Sequence, residues 1–420
     1  MKIAEYLKSN LQKFKAYFYA FLLWLGLGLV VGAVCGVIGT VFAHSVSFVT
    51  ELRSDNGWLL FLLPVGGLLS VLIYRICRVT GIGTNQVFEG VRSENQVPFK
   101  LAPAVFAGSV ITHLLGGSAG REGAALQLGG SISSLLGRFL KLDGKQRHIL
   151  TMCGMGALFS AIFGTPIGAC VFAIEVVNVG VFCSAAIFPG IVSAVTASII
   201  AGKLGVEAEH FELSSVPQLS FNILWRVALI AAAGAVVSML FCRVMHLSEH
   251  LFEKYLKNPF LRAAVGGAAL VLLTLALSTA MYNGSGMETI QAIFRGETVG
   301  FEAFALKILF TAITVAAGFK GGEIIPTLFI GAALGCAVAP LLGLQATFGA
   351  AVGMAALFCG VTNCPLATVI LFAELFGGRA MVYLALSGMI SFLLSGYTGL
   401  YAGQRLTFSK LTEEYLQNGE

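Results

Sequence analysis

Charge is scarce in this chain of 420 residues: Asp, Glu, Lys and Arg make up only 11% of it, against about 25% in soluble domains. So thin a supply of ionic groups cannot clothe a water-facing surface, which excludes a soluble globular protein. Ligand spacing is lacking too. The nine cysteines, at 35, 77, 153, 170, 183, 242, 336, 359 and 364, form no CxxC and fall at no zinc-type interval from any of the six histidines. They read as small core residues, and no metal or cofactor is expected. There is no HExxH, no paired Asp motif and no Walker-type GK[ST], which argues against an integral-membrane enzyme. The basic clusters lack interleaved aromatics and adjoin apolar runs, which excludes nucleic acid as a partner.

What the chain has in abundance is apolar sequence, 57% of the total. Uncharged runs cover 16–50, 56–74, 101–120, 176–202, 263–287, 324–373 and 380–404. Most reach the roughly 20 residues that a spanning helix needs, so the chain is an all-α polytopic membrane protein whose solvent is the lipid bilayer. Lys2, Lys8, Lys13 and Lys15 precede the first run, and Arg138, Lys141, Lys145 and Arg147 cluster between two others. The positive-inside bias places both segments in the cytoplasm, with a multi-pass protein in the cell (inner) membrane. The division expected is an amphipathic interfacial helix over 1–15, transmembrane repeats over 16–210 and 211–404, and a short cytoplasmic tail over 405–420 with no regulatory domain. The first 15 residues are no cleavable signal, because the apolar run after them is 35 residues long rather than about 7 to 15. Gly28, Gly32 and Gly36 put small residues on one face of the first run for close helix packing.

One stretch breaks the apolar pattern most sharply: GGSAGREGAALQLGG, residues 116–130. Arg121 and Glu122 stand there at membrane depth, where a charge costs about 2.5 to 3.5 kcal/mol on insertion scales and marks an ion or proton path. A helix starting at Glu122 points its positive end at whatever occupies the break. The competing reading is a salt-bridged helix end that only holds the bundle together. The helix over 123–137 is short, either a half-helix or a tilted one. His113, inside the span before the break, reads as a core or helix–helix contact. In GIGTNQ (81–86), a loop enters a short helix and Thr84 offers a hydroxyl; Gln86 stands where a dinucleotide fingerprint needs glycine.

The second half repeats the first. GMGALFSAIFGTPIGACVFAIE (154–175) matches GMAALFCGVTNCPLATVILFAE (353–374) without gaps at seven of 22 positions, pairing Pro166 with Pro365 and Glu175 with Glu374 at an offset of 199. At an offset of 202, GFKGGEIIPTLFIGAALG (318–335) answers the central break, Gly331 matching Gly129. Corresponding interrupted segments in two halves point to a transport site at their interface. Glu175 and Glu374 each end an apolar helix, where a carboxylate is expected to reach water or a cationic loop. Glu323 either pairs with Lys320 or acts as a second carboxylate near Glu122.

GREG (120–123), RFLKLDGKQRHIL (138–150), FGTPIGACVFAIE (163–175), GGEIIP (321–326) and GYTGLY (396–401), in this order, together resemble the CLC anion channels and anion/proton antiporters. The resemblance covers nearly the whole chain. It implies the CLC fold, with two inverted-topology repeats whose broken helices meet at a central anion site, and it implies a homodimer with one pathway per subunit. Runs 176–202 and 366–397 would carry the dimer interface. Glu122 takes the place of the gating, proton-carrying glutamate. Gly83 or Thr84 stands where chloride-selective members have a coordinating serine, and Tyr401 matches the tyrosine that closes the inner end, with an interfacial aromatic as the alternative. Arg121, Gly123, Ile324 and Ile325 complete the implied anion site. Val176 occupies the position of a second glutamate that serves the cytoplasmic proton route in chloride/proton exchangers. That departure, together with Glu323, resembles the fluoride/proton antiporter branch. Ile325 does not, because it replaces a threonine whose hydroxyl would help hold fluoride. The transported halide is thus fluoride ahead of chloride, in exchange for a proton; a chloride/proton antiporter or a passive voltage-gated-type chloride channel is the alternative.

Overall fold

The computed structural model describes residues 2–79, 83–92, 97–412 and 414–416, and of residues 2–9 only the backbone course. Gly81 and Ile82 of the GIGTNQ stretch, and 417–420 of the expected tail, lie outside the described residues. The first half contains α1 (Lys2–Asp55), α2 (Leu63–Cys77), α3 (Gly83–Arg92), α4 (Leu101–Leu115), α5 (Glu122–Phe139), α6 (Gly144–Phe163), α7 (Pro166–Glu175) and α8 (Ile187–Lys203). The second contains α9 (Phe221–Tyr255), α10 (Pro259–Leu277), α11 (Met287–Phe294), α12 (Ala303–Ala316), α13 (Ile324–Val338), α14 (Ala346–Thr362), α15 (Pro365–Phe376) and α16 (Met381–Leu394). Six described helical segments are long and apolar enough to cross a bilayer.

The lengths follow from local sequence. Nothing between residues 10 and 55 breaks or caps a helix, so α1 runs for 54 residues, about 80 Å. Residues 2–15 are helical and run on without a break into the rest of α1. Gly28, Gly32 and Gly36 face Pro189, Val192, Ser193, Thr196 and Ala197 of α8, the close packing expected of them. The uncharged run 324–373 becomes three helices, because Pro340 and Gly343 interrupt it first and Asn363 and Pro365 interrupt it again. Short helices are tolerated at membrane depth only where protein buries their ends. Accordingly, every residue of α14 except Ala346 is buried.

The halves are related by a local two-fold axis, since their contacts are reciprocal. Ser118 donates its amide to Thr314 Oγ1 at 3.0 Å, and Lys320 donates its amide to Thr112 Oγ1 at 3.2 Å. Gly129 lies against Gly154, and Gly331 lies against Gly353 in the same way. Glu175 accepts the amides of Leu366 and Ala367 at 3.2 and 2.7 Å, while Glu374 accepts those of Ile167 and Gly168 at 3.0 and 2.7 Å. This corrects the expectation for the two glutamates. Neither turns to water or a cationic loop; each satisfies the first free amides of the proline-started helix in the opposite half.

Beyond α16 the chain is tied to the body. Arg405–Leu406 (β2) pairs in parallel with Asn178–Val179 (β1). Gln404 Nε2 donates to the carbonyls of Val176 and Thr362 at 3.1 and 2.7 Å, and Lys410 Nζ donates to Asn363 Oδ1 at 2.6 Å. These bonds fix the approach of Tyr401 to the centre.

Candidate functional site

The break that began as a sequence feature is the point where the halves touch. Gly120 and Gly322 exchange both amide–carbonyl hydrogen bonds, each at 2.6 Å, in an isolated antiparallel bridge. Only glycine permits this approach, because a Cβ on Gly322 would strike the backbone nitrogen of Gly123. One residue past each bridge glycine stands an N-cap, Arg121 for α5 and Glu323 for α13. The first amides of both helices therefore open onto the same small volume, with the positive ends of two helix dipoles converging there. The third terminus joins through a side chain: Gln127 Nε2 of α5 donates to Thr84 Oγ1 of α3 at 2.7 Å. Thr84 is thus an acceptor here, and its own O–H donates to no acceptor among the described residues.

Glu122 is 1% exposed, and neither carboxylate oxygen has a hydrogen-bond partner among the described residues. Arg121 Nε lies 3.7 Å from Oε1, too far for a hydrogen bond, whereas its Nη2 bonds Glu209 Oε1 at 3.0 Å. The guanidinium is committed to Glu209, in the connection between α8 and α9. Glu122 therefore keeps a longer ion-pair contact with Arg121 but no hydrogen bond to it. Burial raises the Glu209 carboxyl above the usual carboxylate range, and the nearby Arg121 charge opposes that shift.

On the other side of the bridge, Glu323 lines a cavity of about 20 Å³ with Thr84, Glu249 and Tyr401. It also lines one of about 70 Å³ with Thr84, Gln127, Lys320 and Glu249. Tyr401 is 7% exposed, its hydroxyl has no partner among the described residues, and its ring meets Phe88 edge-on at 5.6 Å. Lys320 forms no ion pair with Glu323; its ammonium stands over the Tyr74 ring, 4.3 Å from the centroid. Ile324 and Ile325 are each 1% exposed, and the Ile325 side chain packs on Gly120, so no hydroxyl is presented from that position.

Of the residues singled out from sequence, Thr84, Glu323 and Tyr401 share one cavity, and Glu122, Gly123, Ile324 and Ile325 surround the bridge. Gly83 opens α3. The Arg121 side chain is turned away toward Glu209. Sequence reasoning missed Gln127, Glu209 and Glu249. A lone amide in a half-helix of small residues was a signal for the first; the other two are acidic residues in polar stretches and carried none. His113 bonds the Ser109 carbonyl of its own helix at 2.8 Å rather than a neighbouring helix.

The profile described as "Voltage gated chloride channel", Voltage_CLC, matches residues 65–396. The chain belongs to the CLC family. It is 33% identical over 398 residues to the "Chloride/fluoride channel protein" of Pseudomonas syringae pv. tomato, covering 92% of this chain and 87% of that relative. It is 24% identical over 425 residues to the "H(+)/Cl(-) exchange transporter ClcA" of Vibrio campbellii, covering 94% and 90%. Among solved structures, the "CLC-type fluoride/proton antiporter" superposes with a TM-score of 0.88 at 31% identity over 93% of this chain and 99% of that one. A "slow cyanobacterial Cl-/H+ antiporter" at 21% identity and TM-score 0.77 shares the CLC fold. The inverted repeats and broken helices expected from sequence are those of this family.

Proposed function

We propose that this CLC protein is a fluoride/proton antiporter in which Glu122 exchanges places with the anion and carries the proton. The observation that carries the reading is the Glu122 carboxylate itself, sealed at a helix N-terminus with both oxygens uncommitted. A group so placed can bind a proton or yield its position to an anion without first breaking a hydrogen bond, at the expense only of its longer ion-pair contact with Arg121. The anion would be held by the amides at the starts of α5 and α13, around Gly123, Ile324 and Ile325, and by the hydroxyls of Thr84 and Tyr401. Gly83 contributes backbone at the α3 start, and Arg121 acts at a distance as a positive charge toward Glu209. Glu323 serves as a second titratable carboxylate on the Tyr401 side.

Fluoride is supported by the likeness to a relative named for chloride and fluoride and to a solved fluoride/proton antiporter, together with Val176 and Glu323. Ile325 favours the second reading, a chloride/proton antiporter, since a buried isoleucine cannot replace a hydroxyl toward a strongly hydrated ion. Proteoliposomes loaded with fluoride, chloride or nitrate, with pH recorded alongside, decide between them. Fluoride efflux well above that of empty liposomes, with protons moving the opposite way, is expected. Rapid chloride efflux with fluoride at the empty-liposome rate would reverse the order, and anion flux without proton movement would make the protein a channel.

The same reading makes the protein a homodimer in the cell membrane. Leu366 of α15, Ile199 of α8, and Met381, Val382, Leu393 and Leu394 of α16 present exposed apolar side chains within the runs expected to form the interface. Cysteine crosslinking between α8 and α16 residues in lipid is expected to trap dimers. Recovery of monomers alone in both lipid and mild detergent would remove the assignment.

A further inference from the structure

The proposed proton route lacks an inner end. Val176 is fully buried and apolar, and its carbonyl is occupied by Gln404, so protons cannot pass there. Another carboxylate stands on the approach. Glu249, near the end of α9, lines both small cavities beside Glu323, of about 20 and 70 Å³. It also lines an adjoining cavity of about 700 Å³ with Tyr74, Glu253, Arg262 and Lys320. A site needs roughly 10 to 15 Å³ to hold one water, so the smallest cavity accommodates a single bridging molecule and the next a few.

The wide cavity lies among the end of α2, the end of α9 and the start of α10, where Arg75, Lys254, Lys257 and Arg262 gather. That is the cytoplasmic face by the positive-inside bias. Glu209 lies at the opposite face, since its amide bonds the Phe163 carbonyl at the far end of α6 and α9 runs from that side to this one. Of the carboxylates that line these three cavities, Glu249 alone borders all three; Glu253 borders only the wide one and Glu323 only the narrow ones.

We infer that Glu249 is the inner proton relay of this transporter, receiving protons from the wide cavity and passing them across water to Glu323. The inference rests on the antiport reading above and adds a residue to it. In each transfer the O–H bond of Glu249 breaks as one forms to the bridging water, which gives a different proton to the Glu323 carboxylate. Glu249, left ionised, is recharged from the cavity; no electrons are exchanged. Its surroundings suit the task. Lys320 lies between the two carboxylates in charge terms but is drawn onto the Tyr74 ring, so it steadies the ionised forms without locking either in a salt bridge. Besides Lys320, the charged and titratable groups facing Glu249 among the described residues are His246 and Glu253 on its own helix, Arg262 from α10, Tyr74 and Arg75 from α2, Glu323 ahead of α13, and Tyr401.

Proton and fluoride fluxes are to be measured together in proteoliposomes for wild type, Glu249→Gln, Glu249→Asp and Glu253→Gln. Each protein is first shown to be folded by gel filtration. Proton flux in Glu249→Gln is expected to fall by about a hundredfold or more, the lower end of what a positioned acid–base group supplies. Its dependence on pH in the compartment facing the wide cavity should vanish. Glu249→Asp should slow the flux while keeping that dependence, and Glu253→Gln should keep that dependence as well. Proton flux within twofold of wild type in Glu249→Gln would overturn the inference. So would equal slowing by Gln and Asp with the pH dependence retained, which is what a structural role predicts. Should the Gln variant not fold, an Asp variant as fast as wild type overturns the relay and a slower, still pH-dependent one supports it. Wild type moving no protons would overturn the antiport reading along with the relay, whereas wild-type coupling that survives Glu249→Gln would overturn the relay alone.

Discussion

Glu122→Gln is expected to abolish proton movement, with a loss on the order of a hundredfold or more, while anion flux is either blocked or runs free of protons. Two negative charges about 4 Å apart repel by about 4 kcal/mol at an effective dielectric near 20, so an ionised Glu122 and a halide are expected to alternate at the break rather than share it. Protonation removes the conflict. Glutamine copies the shape and neutrality of the protonated form but has no proton to release. Because neither oxygen of Glu122 has a hydrogen-bond partner among the described residues, the amide breaks no such bond on entering, and the variant should fold normally. The check is simultaneous recording of fluoride and pH in proteoliposomes. Proton uptake driven by an anion gradient at the wild-type rate in this variant would refute the mechanism, because no other carboxylate lies sealed at the start of α5.

Glu175→Ala and Glu374→Ala are expected to destabilise the protein by about 2 to 4 kcal/mol each, since each leaves two helix-starting amides without acceptors. Glu175 should be the costlier loss. It is 6% exposed, whereas Glu374 is half-buried, so water can replace part of what Glu374 supplies. Glutamine in either place keeps one acceptor oxygen and should cost less than alanine. Thermal unfolding in detergent reads the order directly: a midpoint several degrees below wild type for both alanine variants, and an intermediate one for glutamine. Unchanged midpoints would mean that the cross-half bonds contribute no net stability.

How much of this was legible beforehand depended on the range of the interaction. Local features read through. The helix start at Glu122, the small-residue face of α1 and the proline-started helices α7 and α15 are each written within a few residues. The repeat was legible as well, because Pro166 and Pro365, like Glu175 and Glu374, sit at one offset. Equivalence, however, does not reveal apposition. That Glu175 reaches residues 366 and 367 follows only once the two-fold axis brings the halves face to face. The Arg121 partner lay 88 residues away in a connection with no pattern of its own. Glu249 was hidden differently: among the charges of SEHLFEKY it looks like an ordinary solvated helix end, and only the cavities show that it is not.

The Gly120–Gly322 bridge bears on direction. A frame that maps onto itself when its two faces are exchanged offers the same landscape to an ion arriving from either side. Near the axis that sameness is broken by side chains that differ across the offset, among them Arg121, which answers to Glu323, and Glu122, which answers to Ile324. One side therefore presents a cation to arriving anions, and the other presents a carboxylate. Exchanging Arg121 with Glu323 is therefore expected to shift the ease of loading from one compartment relative to the other, read as the ratio of anion influx to efflux in oriented proteoliposomes, while the scaffold stays in place.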